Sequence, residues 1–543
     1  MERKIYILLF VLLLVLNGTV FGQKVVVIVE PDAGLDVGAL NQAILNHPDP
    51  GNAIFELKRG GIYYVDGTIS HTGYHLHVRA EAGEGPRPIL IPAVDINGVS
   101  ARTFAPGDDA TFEGIHFFGE DELGNKISGQ VYTTGNGIRI VFNDCIFEGD
   151  DTALSRVSST NTTFILKNSV RRNAIRLGSS NGRGIDFRTG PQDTLWVENC
   201  TFYNLTGYHI RFGDQFLKYF YYNHNTAWNS QRQYLEFERV VNATYKNSIF
   251  YDCGIWGEEP APHPDTLAAW EQRGRLPWEP GHVINVDSLG TFVLNPEITI
   301  SDADRKLEVK NILWGFNPEY RGLFEKYDTV RRLITLENPV TRRVAAFIEA
   351  GILDTSNIFE EELAFTNQPP LVLEYLEAFF SNNMGLDPSA PVPPFEARED
   401  WTNPAWKEQD EGGYSFGYSN NTRAATAAEG GVPLGDPRWK NVNTSSENVY
   451  RLKEKISVNA YPNPFNSYIT FNFGLDEPAK VSISIYNILG QNVLTLNERQ
   501  IQPGTNLDVD FSQIDSKGIF FYNVAFKKMN GVKVNSSGRL LKQ

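Results

Sequence analysis

Three five-residue strings, 25 residues apart, carry the side chains best suited to chemistry: Gly184-Ile185-Asp186-Phe187-Arg188, His209-Ile210-Arg211-Phe212-Gly213 and Tyr234-Leu235-Glu236-Phe237-Glu238. Stacked as neighbouring strands, they put Ile185, Ile210 and Leu235 in one inward column and Phe187, Phe212 and Phe237 in another. The alternation of side chains along a strand then turns the residues between them outward. The outward face carries Asp186, Arg211 and Glu236 in a central row, flanked by His209 and Tyr234 on one side and by Arg188 and Glu238 on the other. A polysaccharide lyase needs a cation to neutralise a uronate carboxylate, a base for the proton at C5 and an acid for the leaving oxygen. Arg211 or Arg188 could neutralise, His209 or Tyr234 could move protons, and Glu236 completes the set. Asp186, Glu236 and Glu238 could hold a Ca2+ ion through carboxylate oxygens. An inverting glycoside hydrolase is the second reading, because two strand spacings put Asp186 and Glu236 roughly 9.6 Å apart, near the separation such enzymes use. Arg211 between them counts against it, since a cation lowers the pKa of both carboxyls while the general acid needs a raised one. The third reading is structural: acid, base and acid on adjacent strands form a salt-bridge ladder worth at most ~1 kcal/mol per pair.

Two further groups bear on a ligand. Between Lys167 and Arg188 stand Lys167, Arg171, Arg172, Arg176, Arg183 and Arg188 against one acid, Asp186. Arg183 and Arg188 could therefore attract an anionic ligand such as a uronate, or be solvated arginines on coil edges. Trp256, Trp270 and Trp278 lie in a Pro- and Trp-rich stretch, 254–281. Trp256 and Trp270 offer flat apolar faces on which sugars stack, or they pack that stretch onto the body. The formal charge of −16 argues against a nucleic-acid partner. No phosphate-cradling Gly loop or zinc-spaced Cys/His cluster occurs.

The elements that must position these residues announce themselves as a repeat. Asp144-Cys145-Ile146-Phe147, Asn168-Ser169-Val170, Asn199-Cys200-Thr201-Phe202, Asn223-His224-Asn225-Thr226 and Asn247-Ser248-Ile249-Phe250 have polar leads 24, 31, 24 and 24 residues apart. A period of that size, built from β-formers, predicts a solenoid of stacked coils. Cys145 and Cys200 share one slot two coils apart, beyond disulfide reach, and read as small buried stacking residues. Asp36 is placed to cap a short helix with Leu40 and Ile44 on one face, closing the open end of the solenoid. Stripes at Val340, Val344, Phe347 and Ile348 and at Val372, Tyr375, Leu376 and Phe379 predict two later helices.

The expected organisation is a secretory signal over 1–22, a parallel β-helix over 23–315, a helical and irregular extension packed on it over 316–440, a polar linker over 441–455 and a small β-domain over 456–543. Past the signal, no stretch approaches the ~20 apolar residues of a membrane span.

The solenoid, roughly 24–315, resembles the pectate-lyase-like superfamily of right-handed parallel β-helices, on its repeat and capped start. It lacks the Arg-x-Pro-x-x-Arg string of one of the better-known pectinase branches, and no catalytic residue is carried over. The last 88 residues resemble the type A sorting domain of the type IX secretion system, on Tyr461-Pro462-Asn463-Pro464-Phe465-Asn466, on Ile485-Tyr486-Asn487-Ile488-Leu489-Gly490-Gln491, on Gly518-Ile519-Phe520-Phe521-Tyr522 and on Gly538-Arg539-Leu540-Leu541-Lys542. That resemblance implies an immunoglobulin-like sandwich read by an outer-membrane export machine. The expectation is an all-β, monomeric protein, secreted or surface-attached, whose partners are a polysaccharide and the type IX machinery. It would act as a lyase, as an inverting hydrolase or as a non-catalytic glycan-binding adhesin.

Overall fold

The computed structural model describes residues 24–33, 37–174, 176, 181–211, 216–231, 240–257, 292–295, 298–333, 341–382, 414–439 and 441, and in the tail 458–475, 478–487, 492–514, 516–528 and 533–543. The expected signal, and the expected linker beyond Asn441, lie outside the described residues. The chain divides into two compact units, Met1–Thr444 and Ser445–Gln543.

The first unit is a parallel β-helix with three faces. Its first face stacks Val25–Val29, Ala53–Leu57, Leu76–Ala80, Ala110–Glu113, Arg139–Asn143, Thr163–Lys167, Gln192–Glu198 and Leu217–Asn223 in parallel register, and continues into the leading halves of Val240–Cys253, Lys306–Gly315 and Leu353–Glu360. The second face runs from Ile62–Val65 through Ile89–Pro92, His116–Phe118, Ile146–Glu148, Val170–Ala174, Thr201–Leu205 and Thr226–Ser230. The third comprises Ile69–His71, Phe104–Pro106, Gly129–Thr133, Ala153–Val157, Arg183–Phe187 and Ile210–Arg211.

The polar leads of the repeat are the corner between the first and second faces. Asp144, Asn168, Asn199, His224, Asn247, Asn311 and Asn357 all hold a left-handed backbone with φ between 49° and 58°, a conformation that Asn and Asp tolerate best among residues with a Cβ. Their amides also link the coils, as in Asn199 Nδ2 to Asn168 Oδ1 (3.0 Å) and Asn311 Nδ2 to Asn247 Oδ1 (2.9 Å). In the coil that the sequence aligns on Asn223, the corner residue is instead the next one, His224. Inside, equivalent side chains stack from coil to coil: Phe112 on Phe142 at 5.1 Å and Phe117 on Phe147 at 4.7 Å. Cys145 and Cys200 are buried and free, and burial pushes the Cys145 thiol up to about 12.

One inward column carries a charge. Arg171 stands in register with Phe147 and Phe202, fully buried, and pairs in two-pronged fashion with the buried Asp150 at 2.5 and 2.7 Å.

At the N-terminal end, the helix Ala39–Leu45 buries Leu40 and Ile44. Asp36 lies outside the described residues, and Asp32 does the capping work, accepting the Ala39 backbone N–H at 2.9 Å. The solenoid does not end at 315: Leu353–Glu360 adds a further strand in parallel register with Lys306–Gly315. Of the two predicted helical stripes, Leu373–Ser381 buries Tyr375, Leu376 and Phe379 as expected, whereas in Thr341–Glu349 Phe347 is buried but Ile348 is exposed. Segment 414–441 packs Phe416 and Trp439 on Tyr203 and Trp228 of the second face, with Thr201 Oγ1 donating to Asp436 Oδ2 at 2.7 Å.

The second unit is a two-sheet antiparallel sandwich. Val458–Tyr461, Tyr468–Phe473 and Asn506–Asp510 form one sheet, and Asn492–Ile501, Ala479–Asn487, Gly518–Lys528 and Lys533–Lys542 the other. Their alternating apolar residues, among them Phe471, Ile483, Val509 and Phe526, share one core.

Candidate functional sites

The third face pairs Ile185 with Ile210 and Asp186 with Arg211, the 25-residue register of the sequence. The chemistry expected there changes on three counts. Asp186 is fully buried and ringed by guanidinium groups: Arg183 and Arg188 at 2.8 Å, Arg211 at 3.3 Å and Arg156 at 3.8 Å. A carboxylate so enclosed by cations is not a Ca2+ ligand. His209 is fully buried rather than outward, tilted against Phe202 at 5.4 Å, and burial pulls its pKa down to about 3. It stays neutral and cannot reach a substrate. Trp256 is buried against Phe379 at 5.1 Å, so it packs the body rather than offering a sugar platform. Tyr234, Glu236, Glu238 and Trp270 lie outside the described residues. Arg188 and Arg211 remain partly accessible; burial pulls Arg183 and Arg188 below the usual guanidinium range, and Asp186 opposes that shift.

The first face presents a site that the sequence reading missed. Here the inward residues are Phe164, Leu195, Phe220 and Ala243, so the alternating residues form three outward columns. The central one runs His77, Thr111, Val141, Ile165, Trp196, Tyr221, Thr244, Glu308 and Asp354. Trp196 and Tyr221 lie ring on ring at 4.2 Å, and Tyr219 beside them is 48% exposed. With Thr194, Asn242, Lys306, Glu308, Gly351, Ile352 and Asp354, they line an open cleft of about 670 Å3. Ammonium groups flank the rings: Lys167 Nζ stands 4.6 Å from the Trp196 ring and pairs with Glu198 at 3.1 Å. Across the cleft, Lys310 bridges Glu308 and Asp354, each at 2.8 Å. Such a site joins flat apolar surface to hydrogen-bonding edges. The signal that could have found it is the spacing of Trp196 and Tyr221, which repeats the coil period of the third face.

Comparison with known proteins decides one question, that of the tail. Residues 459–534 match the secretion system C-terminal sorting domain. The match spans strands of both sheets of the sandwich. The sorting domain marks the protein as secreted and extracellular or attached at the cell surface, and it implies interaction with the type IX secretion machinery. No curated protein and no solved structure matches the chain.

Proposed function

We propose that this is an exported polysaccharide-binding protein whose glycan lies in the cleft of the first face, along the coils. The observation that carries the reading is the accessible aromatic platform of Trp196, Tyr219 and Tyr221 in a cleft edged by Asn, Thr, Lys and carboxylate groups. Large ring faces bury apolar area, while polar groups at their rim fix orientation. Delivery outside the cell, where polysaccharides are met, agrees with it. Affinity electrophoresis of the purified protein through gels containing uronate or neutral polysaccharides tests the proposal. Trp196→Ala should weaken retardation about tenfold, equivalent to ~1.4 kcal/mol. Equal retardation of wild type and variant would refute it.

A second reading, an anionic glycan on the third face, is favoured by the guanidinium groups gathered around Asp186. Cations suited to a uronate carboxylate are there, but the proton mover expected beside them, His209, is sealed in the core. Hydrolysis through Asp186 gains no support either, since its carboxylate is fully buried and occupied by four arginines rather than open to a sugar. Loss of binding in Arg188→Ala with Trp196→Ala unaffected would favour the third face.

A further inference from the structure

The first strand of the solenoid, Val25–Val29, is paired along one edge. Its parallel register runs from Val25 opposite Ala53 to Val29 opposite Leu57, and among the described residues no strand meets its other edge. We propose that this free edge is the contact between two copies of the chain, paired antiparallel about a two-fold axis at Val27. The protein is then a head-to-head dimer, where the sequence leads one to expect a monomer.

The first argument is the make-up of the strand. Val25, Val26, Val27, Ile28 and Val29 are all β-branched, the type of side chain that packs best on a pleated surface. Val25 is 53% exposed, Val26 43% and Ile28 55%. Val25 and Val27 stand in register with the buried Ala53 and Phe55 and so belong to the inward columns. Even so, Val25 is open and Val27 only half-buried. The core is therefore incompletely closed at this end, although the helix Ala39–Leu45 covers part of it with Leu40 and Ile44. Beside the strand, an open groove of about 450 Å3 is lined by Ile28, Val29, Pro31, Val37, Ala39 and Ala43, and Leu45 at the end of the helix is exposed.

A free apolar edge is normally blunted by charge, by proline or by a covering segment. The other end of the solenoid follows that rule. Its strand Leu353–Glu360 carries Asp354, Ser356 and Glu360, and Arg423 reaches across to donate to Asn357 Oδ1 at 2.6 Å. Val25–Val29 has no such device within it.

Charge selects the occupant. The residues flanking the strand are Lys24 and Glu30. A two-fold axis at Val27 sets Val25 against Val29 and Val26 against Ile28; one step further out, it sets Lys24 of each copy against Glu30 of the other. Within one chain neither charge is used. Lys24 Nζ is shielded from water without a hydrogen-bond partner among the described residues, and burial pulls its pKa down. Glu30 is exposed, and the cation near it, Lys58, is already paired with Glu81 at 3.1 Å. Opposite charges at facing strand positions favour pairing, and like charges oppose it. A second copy satisfies both flanking charges with one symmetric contact, in which the same patch serves on each side. The first faces of the two copies then join into one sheet, and the two open ends of the core meet.

Sedimentation velocity over a concentration series, on the purified protein lacking only the expected signal, 1–22, tests the proposal. The wild type should sediment as a dimer in reversible equilibrium with monomer. Glu30→Lys or Lys24→Glu alone turns two attractive facing pairs into two repulsive ones, and should raise the dimer dissociation constant about 10- to 100-fold. Lys24→Glu combined with Glu30→Lys exchanges the charges across the axis and should restore the wild-type value. Val26→Lys sets an ammonium against the partner's Ile28 and should give monomer, with far-ultraviolet circular dichroism unchanged. A monomer at every concentration of wild type, a dimer that Val26→Lys leaves intact, or a double variant as dissociated as either single one would overturn the proposal.

Discussion

Asp252→Asn should remove a pH-dependent weakness from the solenoid. At the corner that follows the second face, successive coils place Asn173, Asn204, Asn229 and Asp252 in left-handed backbone, with φ of 49°, 56°, 51° and 50°. The amides form a chain, Asn204 to Asn173 and Asn229 to Asn204, each at 3.1 Å. The chain stops at Asp252, whose carboxylate has no N–H to pass on. Asp252 is fully buried; it accepts the Asn317 backbone N–H at 2.7 Å and the Asn317 side-chain amide. Burial outweighs those two donors and raises its pKa from 3.8 to about 7. The folded chain thus holds a proton that the unfolded chain has released between about pH 4 and pH 7, so stability falls as pH rises through that window. Integrating the linkage for this one group, the wild type loses about 2.5 kcal/mol between pH 5 and pH 8 that a non-titrating residue would not lose. Asparagine keeps the tolerance for positive φ and does not titrate in this window. Urea unfolding of both proteins at pH 5 and pH 8 isolates the effect, because every other titration cancels in the difference. The variant's advantage should grow by about 2.5 kcal/mol from the lower pH to the higher. An advantage that is the same at both values would refute the argument.

Inside the solenoid, Arg171→Met alone leaves Asp150 charged in the apolar core and should cost about 3–5 kcal/mol in urea unfolding, whereas Arg171→Met with Asp150→Asn should recover most of it; a single variant no less stable than the double would contradict the pairing. Deletion of 456–543 should leave the protein in the periplasm by cell fractionation, and normal surface delivery of the truncated chain would count against the sorting role. Phe147→Ala removes one ring from the stack between Phe117 and Arg171 and should cost about 3–5 kcal/mol; a change under 1 kcal/mol would mean that the column is not tightly packed.

The solenoid could be read from the chain because its corners and its columns make opposite demands. A left-handed corner needs Asn, Asp or Gly, and an inward slot needs a residue that stacks on its copy one coil away, so the two signals recur together at a fixed period. The same logic fails where the period-two rule is carried past the end of a strand. His209 precedes a strand only two residues long, Ile210–Arg211, and at that corner the backbone turns the imidazole into the core. Trp256 was similarly beyond reach, since Phe379, the partner that buries it, lies on a helix more than 100 residues later. Neither error concerns residue type; both concern direction, which only the neighbouring coils and distant helices fix.

That difference also separates the third face from the first as places for a ligand. On the third face, Asp186 is spent on Arg183, Arg188 and Arg211. Buried charges must be paired to be tolerated, and groups so paired are held in place rather than offered to a ligand. On the first face the long strands keep strict alternation over many coils, so Trp196, Tyr219, Tyr221, His75 and His77 keep their outward direction and part of their accessible surface. A ligand site on a β-helix is therefore better sought by following one outward column along the longest strands than by the chemical appeal of a single string. By that criterion the column from His77 through Trp196 and Tyr221 to Asp354 stands ahead of the row from Asp186 to Arg211.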